Sequence, residues 1–253
     1  MTLVWRPGFA YDTDASAYID AVEVADGQAL ETATRYAIND FVLGCKQDGI
    51  WTAIKASCIL AGARTRLGAL TPLVGTAPTS FNFVDGDYNR KTGLVGDGST
   101  KQLKTGVLGA SLPRDSFSLG VYISTAGSDN RAYIDGGRSI TGASNIVGGG
   151  SGGTFRNRNG TAPSITSEAL GFIGSSRSES TGYNYRFNKV TLFSSTASQA
   201  SNNDEITVFN FSRVTFAYSD ARLAFYSIGE SLDLARLDGR VTDLINAFAV
   251  TIP

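Results

Sequence analysis

The sequence predicts a mainly β protein, an antiparallel sandwich or barrel of short strands, with helical regions at both ends. Two observations support this prediction. Between about residue 70 and residue 229, short apolar or alternating segments are separated by clusters of Gly, Asn, Asp and Ser, as in antiparallel sandwiches. On either side of this region, apolar residues recur every three or four positions, which is the helical period. No helical pattern interrupts the middle region, so a parallel sheet is not expected.

These periods divide the chain into three predicted parts. Residues 1–69 are predicted to be a helical N-terminal region for attachment or oligomerisation. Residues 70–229 form the β domain, and residues 230–253 form a C-terminal helix packed on it. Within the β domain and at its end, the strands are predicted at 80–84, 116–124, 131–134, 169–173, 183–193, 205–211 and 222–228.

Three helices are predicted in the N-terminal part. Asp14 is expected to cap a first helix that ends near Ala25, because its side chain can accept a hydrogen bond from a free N–H of the first turn. A second helix is expected from Gln28, and a third from Trp51 to Gly62. The third has few charges, so we expect it to be buried.

The stretch RLAFYSIGESLDLARLDGRV, residues 222–241, predicts a strand followed at once by a helix. Leu223 to Ile228 leave no room for a solvent face, so they should form an interior strand. Gly229 is expected to end that strand at a sharp turn. The C-terminal helix should be capped by Ser231 or Asp233, because both can accept from its first N–H groups.

Composition excludes several classes of function. Of 253 residues, 42% are apolar and 18% are charged, and the net charge is −1. Without clustered Lys and Arg, neither nucleic acid nor an anionic membrane surface is an expected partner. No apolar run is long enough for membrane insertion, and residues 1–16 lack the pattern of a signal peptide. Cys45 and Cys58 are predicted to be buried free thiols.

The chain contains no histidine. This excludes a Ser-His-Asp triad and most zinc and iron sites. A glycosidase needs two facing carboxylates. Jelly-roll glucanases carry them on a strand that reads Glu-x-Asp-x-x-Glu, and no such string occurs in this sequence. We therefore predict that the protein is not an enzyme, and a glycan-cleaving enzyme is the least favoured alternative.

Three segments, in order, resemble concanavalin A-like and laminin-G-like jelly-roll domains. GLVGDGSTKQL (93–103) resembles their opening strand, with its Asp-Gly turn. DSFSLGVYIST (115–125) resembles the next strand, and ARLAFYSIGESL (221–232) resembles the last strand with its short helix. The resemblance implies an antiparallel, lectin-like jelly-roll β-sandwich.

Two further segments are similar to virion appendage proteins of tailed bacteriophages. They are CKQDGIWTAIKASCILAGA (45–63) and YNRKTGLVGDGSTK (88–101). The resemblance implies a fibre or spike on the phage head or tail, assembled in the host cytoplasm, whose jelly roll binds host-surface glycan during adsorption. Other virion proteins would be partners. A purely structural capsid or tail decoration protein is the alternative. We also expect a homo-oligomer, foremost a trimer, because the apolar faces of the helices exceed what one sandwich needs.

Two polar segments are the candidate glycan site. TFRNRNG supplies Arg156, Asn157, Arg158 and Asn159, and STGYNYRF supplies Tyr183, Asn184, Tyr185 and Arg186. Aromatic faces suit the C–H faces of sugar rings, while amide and guanidinium groups can bond hydroxyls in pairs. The alternative is that these are ordinary outward-facing polar residues on two solvated strands.

Two other motifs are predicted to bind nothing. Asp85, Asp87 and Asn89 have the spacing that begins a calcium loop. However, Arg90 and Gly96 replace the glycine and the bidentate glutamate that such a loop needs, so an ordinary polar turn is expected. VGGGSGG (147–153) lacks the Lys-Ser/Thr ending of a phosphate loop and is predicted to be a hairpin tip. No metal or cofactor is predicted.

Overall fold

A computed structural model of the chain describes residues 10–128, 130–137, 141–149, 152–166, 170–212 and 217–253. Within them, two antiparallel sheets pack face to face and helices cover the outer face of the first sheet. The predicted fold class is confirmed: the protein is mainly β, an antiparallel jelly-roll sandwich with N-terminal helices and a C-terminal helix. Residues 1–9, 150–151 and 169, on which parts of the predictions fall, lie outside the described residues.

In the described residues the first sheet contains nine strands and the second contains seven. The strands of the first sheet are β1 Ile54–Ile59, β2 Pro72–Val74, β4 Tyr88–Asn89, β5 Gly93–Val95, β7 Phe117–Thr125, β12 Gly171–Arg177, β13 Tyr183–Phe187, β14 Val190–Ser194 and β16 Arg222–Gly229. Those of the second sheet are β3 Thr79–Phe81, β6 Gln102–Leu108, β8 Arg131–Gly136, β9 Ser144–Gly148, β10 Gly153–Arg156, β11 Ser164–Ile165 and β15 Glu205–Val208.

The order of the strands shows that the chain crosses repeatedly between the sheets. The first sheet runs β14-β13-β12-β7-β16-β1-β2, with β5 beside β16 and β4 beside β5. The second runs β11-β10-β9-β8-β15-β6-β3. Strand β16 lies between β7 and β1, and its residues from Leu223 to Gly229 are buried. The prediction of an interior strand is therefore confirmed.

The helices are α1 Thr13–Asp26, α2 Thr32–Gln47, α3 Arg66–Ala69 and α4 Leu234–Thr251. The N-cap of α1 is Asp12 rather than Asp14, because the Asp12 carboxylate accepts from the N–H groups of Asp14 and Ala15. The N-cap of α4 is Asp233, one of the two predicted residues.

The prediction of a third helix from Trp51 to Gly62 is wrong. Only a single 3₁₀ turn forms at Trp51–Ala53, and β1 follows it directly. Periodicity alone does not separate a short apolar strand from a buried helix, and here pairing with β16 decides for the strand. Strand β1 therefore belongs to the sandwich although it precedes residue 70. The division at residues 69 and 229 stays a prediction.

The predicted strand at 183–193 is two strands joined by a tight turn. Asn188 and Lys189 both have positive φ, 49° and 63°. Two consecutive residues of this kind make the type I′ turn that suits a two-residue hairpin. Strands β13 and β14 consequently pair antiparallel on either side of the turn. Likewise β9 and β10 pair antiparallel, so the glycine-rich segment between them joins a hairpin as predicted.

Two hydrophobic clusters lie on opposite faces of the first sheet. The cluster between the sheets includes Val121 and Tyr226, whereas the cluster under the helices includes Phe41, Phe225 and Phe248. Phe41 of α2 meets Phe225 edge-on, with ring centroids 5.9 Å apart. The helices therefore bury their apolar faces on this sheet. The excess apolar helix surface that led us to expect an oligomer is thus occupied within the chain.

The segment between β16 and α4 is held by hydrogen bonds to serine side chains of the first sheet. Ser118 Oγ donates to the carbonyl of Glu230 at 2.7 Å. Ser176 Oγ donates to the carbonyl of Leu232 and accepts from its N–H, at 2.8 and 3.0 Å. These bonds satisfy buried backbone groups that would otherwise lack partners, and they direct α4 back across the sheet.

Gly229 serves a different purpose from the one predicted. It is the last residue of β16, and no positive φ is found there. A Cβ at this position would lie 2.0 Å from the carbonyl oxygen of Ala53. Glycine is therefore required because the backbone of the 3₁₀ turn approaches so closely. The strand ends at Gly229 as predicted, and the chain bends at the next residue, Glu230.

Replacing Gly229 with alanine is expected to destabilise the protein by about 1–3 kcal/mol, because a side chain forced into a packed contact moves the backbone. Gly239→Ala in α4 is the matched control, since its Cβ would meet nothing within 4 Å. That change should stabilise by up to about 1 kcal/mol, the helix preference of alanine over glycine. Urea unfolding of both variants measures the difference, and equal stabilities would contradict the close approach.

Candidate functional site

Five of the eight residues predicted to bind glycan are buried. Asn157, Arg158, Asn159, Tyr183 and Tyr185 are each exposed by less than a tenth. The expectation that these side chains face outward is wrong for these five. Tyr183 and Tyr185 belong to the hydrophobic cluster between the sheets, and the side chains of all five are largely closed to solvent.

Two buried arginines explain why these polar segments turn inward. Arg158 stacks on Phe117, with its guanidinium carbon 3.7 Å from the ring centroid. Its burial lowers its pKa to about 10, because desolvation disfavours the charged form. Arg177 donates to the carbonyls of Asn157, Gly182 and Thr196 at 2.8 to 3.1 Å. Arg177 thus joins both predicted segments from the inside.

The other three predicted residues are less buried, and two of them hold parts of the fold together. Arg156 donates to the carbonyl of Gly160. Arg186 pairs with Asp238 of α4 at 2.7 Å, and both side chains are largely buried. Asn184 alone of the eight is exposed. A glycan-binding role for these residues stays a prediction.

The calcium-like residues are engaged in separate interactions. Asp85 pairs with Arg66, and Asp87 pairs with Lys101 at 2.6 Å. The side chain of Asn89 accepts from the N–H groups two and three residues further along the chain, as in a polar turn. Within the described ranges, no three acidic, cysteine or histidine side chains come together as a metal site would require.

A groove beside Trp51 is a candidate for a ligand site among the described residues. Its volume is about 480 Å³, within the range of small-ligand sites. It runs between α1 and β2, the strand at one edge of the first sheet. Its lining is mostly apolar, with one carboxylate and two hydroxyl side chains: Asp14, Ala17, Tyr18, Ala21, Trp51, Thr52, Ile54, Pro72, Leu73 and Val74.

Trp51 is held at the rim of the groove by polar contacts. Its indole Nε1 donates to Asp14 at 3.1 Å. The ammonium of Lys46 lies 5.7 Å from the ring centroid and 2.6 Å from the same carboxylate. The side chain of Asp14 remains about half exposed, at 51%. A partly exposed aromatic face therefore stands beside a hydrogen-bond acceptor that solvent can reach.

A second depression adjoins the first at Trp51. Its volume is about 260 Å³, and Lys46, Gly49, Trp51 and Thr52 line it. The indole borders both depressions. The two depressions together have room for a linear ligand of two or more rings, with the indole of Trp51 between neighbouring rings.

The position of Trp51 follows from the elements around it. Helix α2 ends at Gln47, and Gly49, with a φ of 71°, turns the chain. The 3₁₀ turn Trp51–Ala53 then leads into β1, whose pairing with β16 fixes its place. The sequence reasoning missed Trp51 and Asp14 as site residues. The available signal was the placement of a tryptophan two residues after the Asp-Gly turn of residues 48–49.

The electrostatics of the site centre on Lys46. Its ammonium pairs with Asp12 at 2.7 Å as well as with Asp14. The hydrogen bond from Lys46 lowers the pKa of Asp12, and the bonds from Asp12 and Asp14 raise the pKa of Lys46. Asp12 is also the cap of α1, so one carboxylate links the helix start to the cation beside Trp51.

No protein-family profile matches the chain, and no curated protein matches its sequence. Some solved structures resemble parts of it. The binding domain of botulinum neurotoxin serotype D matches 76% of this chain and 51% of its own chain, at 8% identity and a TM-score of 0.49. A variant of the NanB sialidase from Streptococcus pneumoniae matches 55% and 26%, at 12% identity and a TM-score of 0.40.

A GH54 α-L-arabinofuranosidase matches 60% of this chain and 40% of its own, at 8% identity and a TM-score of 0.42. The chain thus spans between about a quarter and a half of the length of these three structures. At this level none of the similarities assigns a function. Among the described residues, no helix has both the length and the apolar character needed to cross a membrane.

Lys46→Met is expected to raise the pKa of Asp12 towards its ordinary value, because it removes the ammonium that lowers it. A lowered folded-state pKa stabilises the protein above the unfolded value, and this contribution disappears as pH falls through the folded pKa. The stability lost in Lys46→Met should therefore be full above about pH 5 and shrink in acid.

Carboxyl NMR titration and urea unfolding at several pH values measure the two effects. Asp97 is the internal control. Its burial alone would raise its pKa, but hydrogen bonds from Thr100, Ser99 and Lys101 lower it overall. The titration of Asp97 should not change in the variant. An unchanged Asp12 titration would contradict the Lys46 pairing.

Proposed function

We propose that this protein is a carbohydrate-binding β-sandwich of a virion fibre or spike, and that it binds a host-surface glycan in the groove at Trp51. The observation that carries the proposal is the partly exposed indole of Trp51 beside the reachable carboxylate of Asp14. Sugar rings present C–H groups that stack on an aromatic face, and their hydroxyls donate well to a carboxylate.

The lining of the groove suits binding rather than cleavage. Among the residues that line it, Asp14 is the one carboxylate. Glycoside hydrolysis in most families requires a second carboxyl group on the other side of the scissile bond. The proposed activity is therefore adsorption without turnover.

The virion assignment rests on the sequence resemblance of residues 45–63 and 88–101 to phage appendage proteins. It agrees with a shallow groove that has few polar contacts, since such a site binds one sugar unit weakly. Many copies on one particle would raise the overall affinity, because each binding event after the first is intramolecular.

Trp51→Ala is expected to weaken glycan binding by about tenfold or more, the effect of losing one stacked aromatic contact and its buried area. The measurement is a printed array of bacterial O-antigen and capsular fragments probed with the purified chain. Titration calorimetry with the strongest fragment follows. If the wild-type chain binds none of these fragments, the proposed function is wrong.

Two controls place the site. Phe81→Ala removes an exposed aromatic ring far along the chain from Trp51, on β3 of the second sheet, and should leave binding unchanged. Asn184→Ala tests the site first predicted from the sequence. If Asn184→Ala abolishes binding while Trp51→Ala does not, the glycan binds at the hairpin of β13 and β14 and the groove is not the site.

A further inference from the structure

Strand β14 leaves an apolar sheet edge open. It is the last strand on its side of the first sheet and pairs only with β13 in the described residues. Val190, Leu192 and Phe193 are exposed by 53%, 42% and 57%. An edge strand presents unpaired N–H and C=O groups that can pair with another strand.

The other sheet ends in the described part of the chain are shorter. Strand β2 has three residues and begins with Pro72, which has no N–H to donate. Strand β3 has three residues and β11 has two. Strand β14 has five residues, and none of them is charged or proline. Proteins commonly protect an edge with charges, proline or a short length, and β14 uses none of these.

The two faces of β14 continue two different surfaces. Leu192 lies opposite Tyr185, whose ring packs on Phe155 between the sheets. Thr191 lies opposite Arg186, which pairs with Asp238 of α4. Any strand added to this edge would therefore extend the core on one face and the helix side on the other.

We propose that β14 pairs antiparallel with β14 of a second copy of this chain, joining two first sheets across a two-fold axis at Leu192. In this register Leu192 meets Leu192 of the second copy, Thr191 meets Phe193, and Val190 meets Ser194. A two-fold interface uses the same patch twice. In this register the exposed Leu192 meets its own copy on the axis, and no charge meets a like charge. The nearest cation, on the residue before Val190, falls opposite an uncharged serine of the second copy.

The pair is a dimer, whereas the sequence led us to expect foremost a trimer. The expected trimer rested on spare apolar helix surface, and the helices bury that surface on the first sheet. Antiparallel pairing of two identical edge strands instead produces a dimer. The proposal does not rest on the glycan site, because Trp51 and β14 belong to different edges of the first sheet.

Leu192→Cys tests the register directly. Directly opposite residues of antiparallel strands have Cα atoms about 4.5–5.5 Å apart, which suits a disulfide. Mild oxidation at micromolar concentration should therefore convert most of the variant to a covalent dimer on a non-reducing gel. The native Cys45 and Cys58 will not interfere, because both are buried and burial raises the pKa of each thiol to about 12.

Val190→Cys is the matched control on the same strand. In the proposed register its two copies lie about 13 Å apart, four strand positions away from each other. It should cross-link far less than Leu192→Cys. Equal cross-linking of the two variants would overturn the register. A wild-type chain that remains monomeric by sedimentation at high micromolar concentration would overturn the dimer.

Leu192→Lys provides a second measurement that does not depend on disulfide chemistry. It places two ammonium groups opposite each other, which destabilises strand pairing, and should weaken the dimer by about tenfold or more. Val24→Lys, at an apolar position of α1 that is 83% exposed, should leave the dimer intact.

Because Leu192→Lys does not alter the Trp51 groove, binding of a soluble glycan fragment should be unchanged, whereas adhesion to a dense glycan surface should fall.

Discussion

The structure depends on the burial of both faces of β16. This strand places Phe225 under the helices and Tyr226 between the sheets. Successive residues of a strand face opposite sides. The register of its pairing with β7 shifts between Leu223 and Phe225, and at this bulge Ala224 and Phe225 both lie on the helix side. A strand that is apolar on both sides requires a covering layer on each. The second sheet supplies one layer, and α1, α2 and α4 supply the other.

The helical layer in turn creates the groove at Trp51. Helix α1 lies beside β2 at one edge of the first sheet, and the 3₁₀ turn enters β1 between them. The close approach of Ala53 to Gly229 fixes that turn against the end of β16. The site is therefore made of pieces from four elements that meet only after the sheet has formed. No single segment of the sequence contains it.

The difference between local and long-range contacts explains which predictions succeeded. The period-two and apolar segments were sufficient to predict the sandwich, because strand patterns depend on neighbouring residues. The strand at Leu223 to Ile228 and the helix after Asp233 were predicted for the same reason. The apolar stretch from Trp51 to Gly62 was ambiguous, because a run of that length fits a strand as well as a helix. Only its distant partner β16 settles the matter.

The burial of five of the candidate glycan residues was missed for a different physical reason. Arginine is almost never fully buried unless its donors are matched, so RNRN and YNYR were expected on the surface. Here Arg158 covers an aromatic ring and Arg177 fills a set of carbonyl acceptors. Such matching depends on the tertiary arrangement of the carbonyls, and a local pattern does not show it.

The pairing of β1 with β16 also bears on how the chain folds during synthesis. Cys58 and Tyr226, which contact each other across these strands, are separated by 168 positions. Contacts of such long range are slow to form, because a large loop must close first. While the ribosome makes the intervening segments, β2 is the one strand partner of β1 among the described residues that has already been synthesised. Its apolar edge is therefore exposed until β16 emerges, which makes this stage the natural point for a chaperone to act.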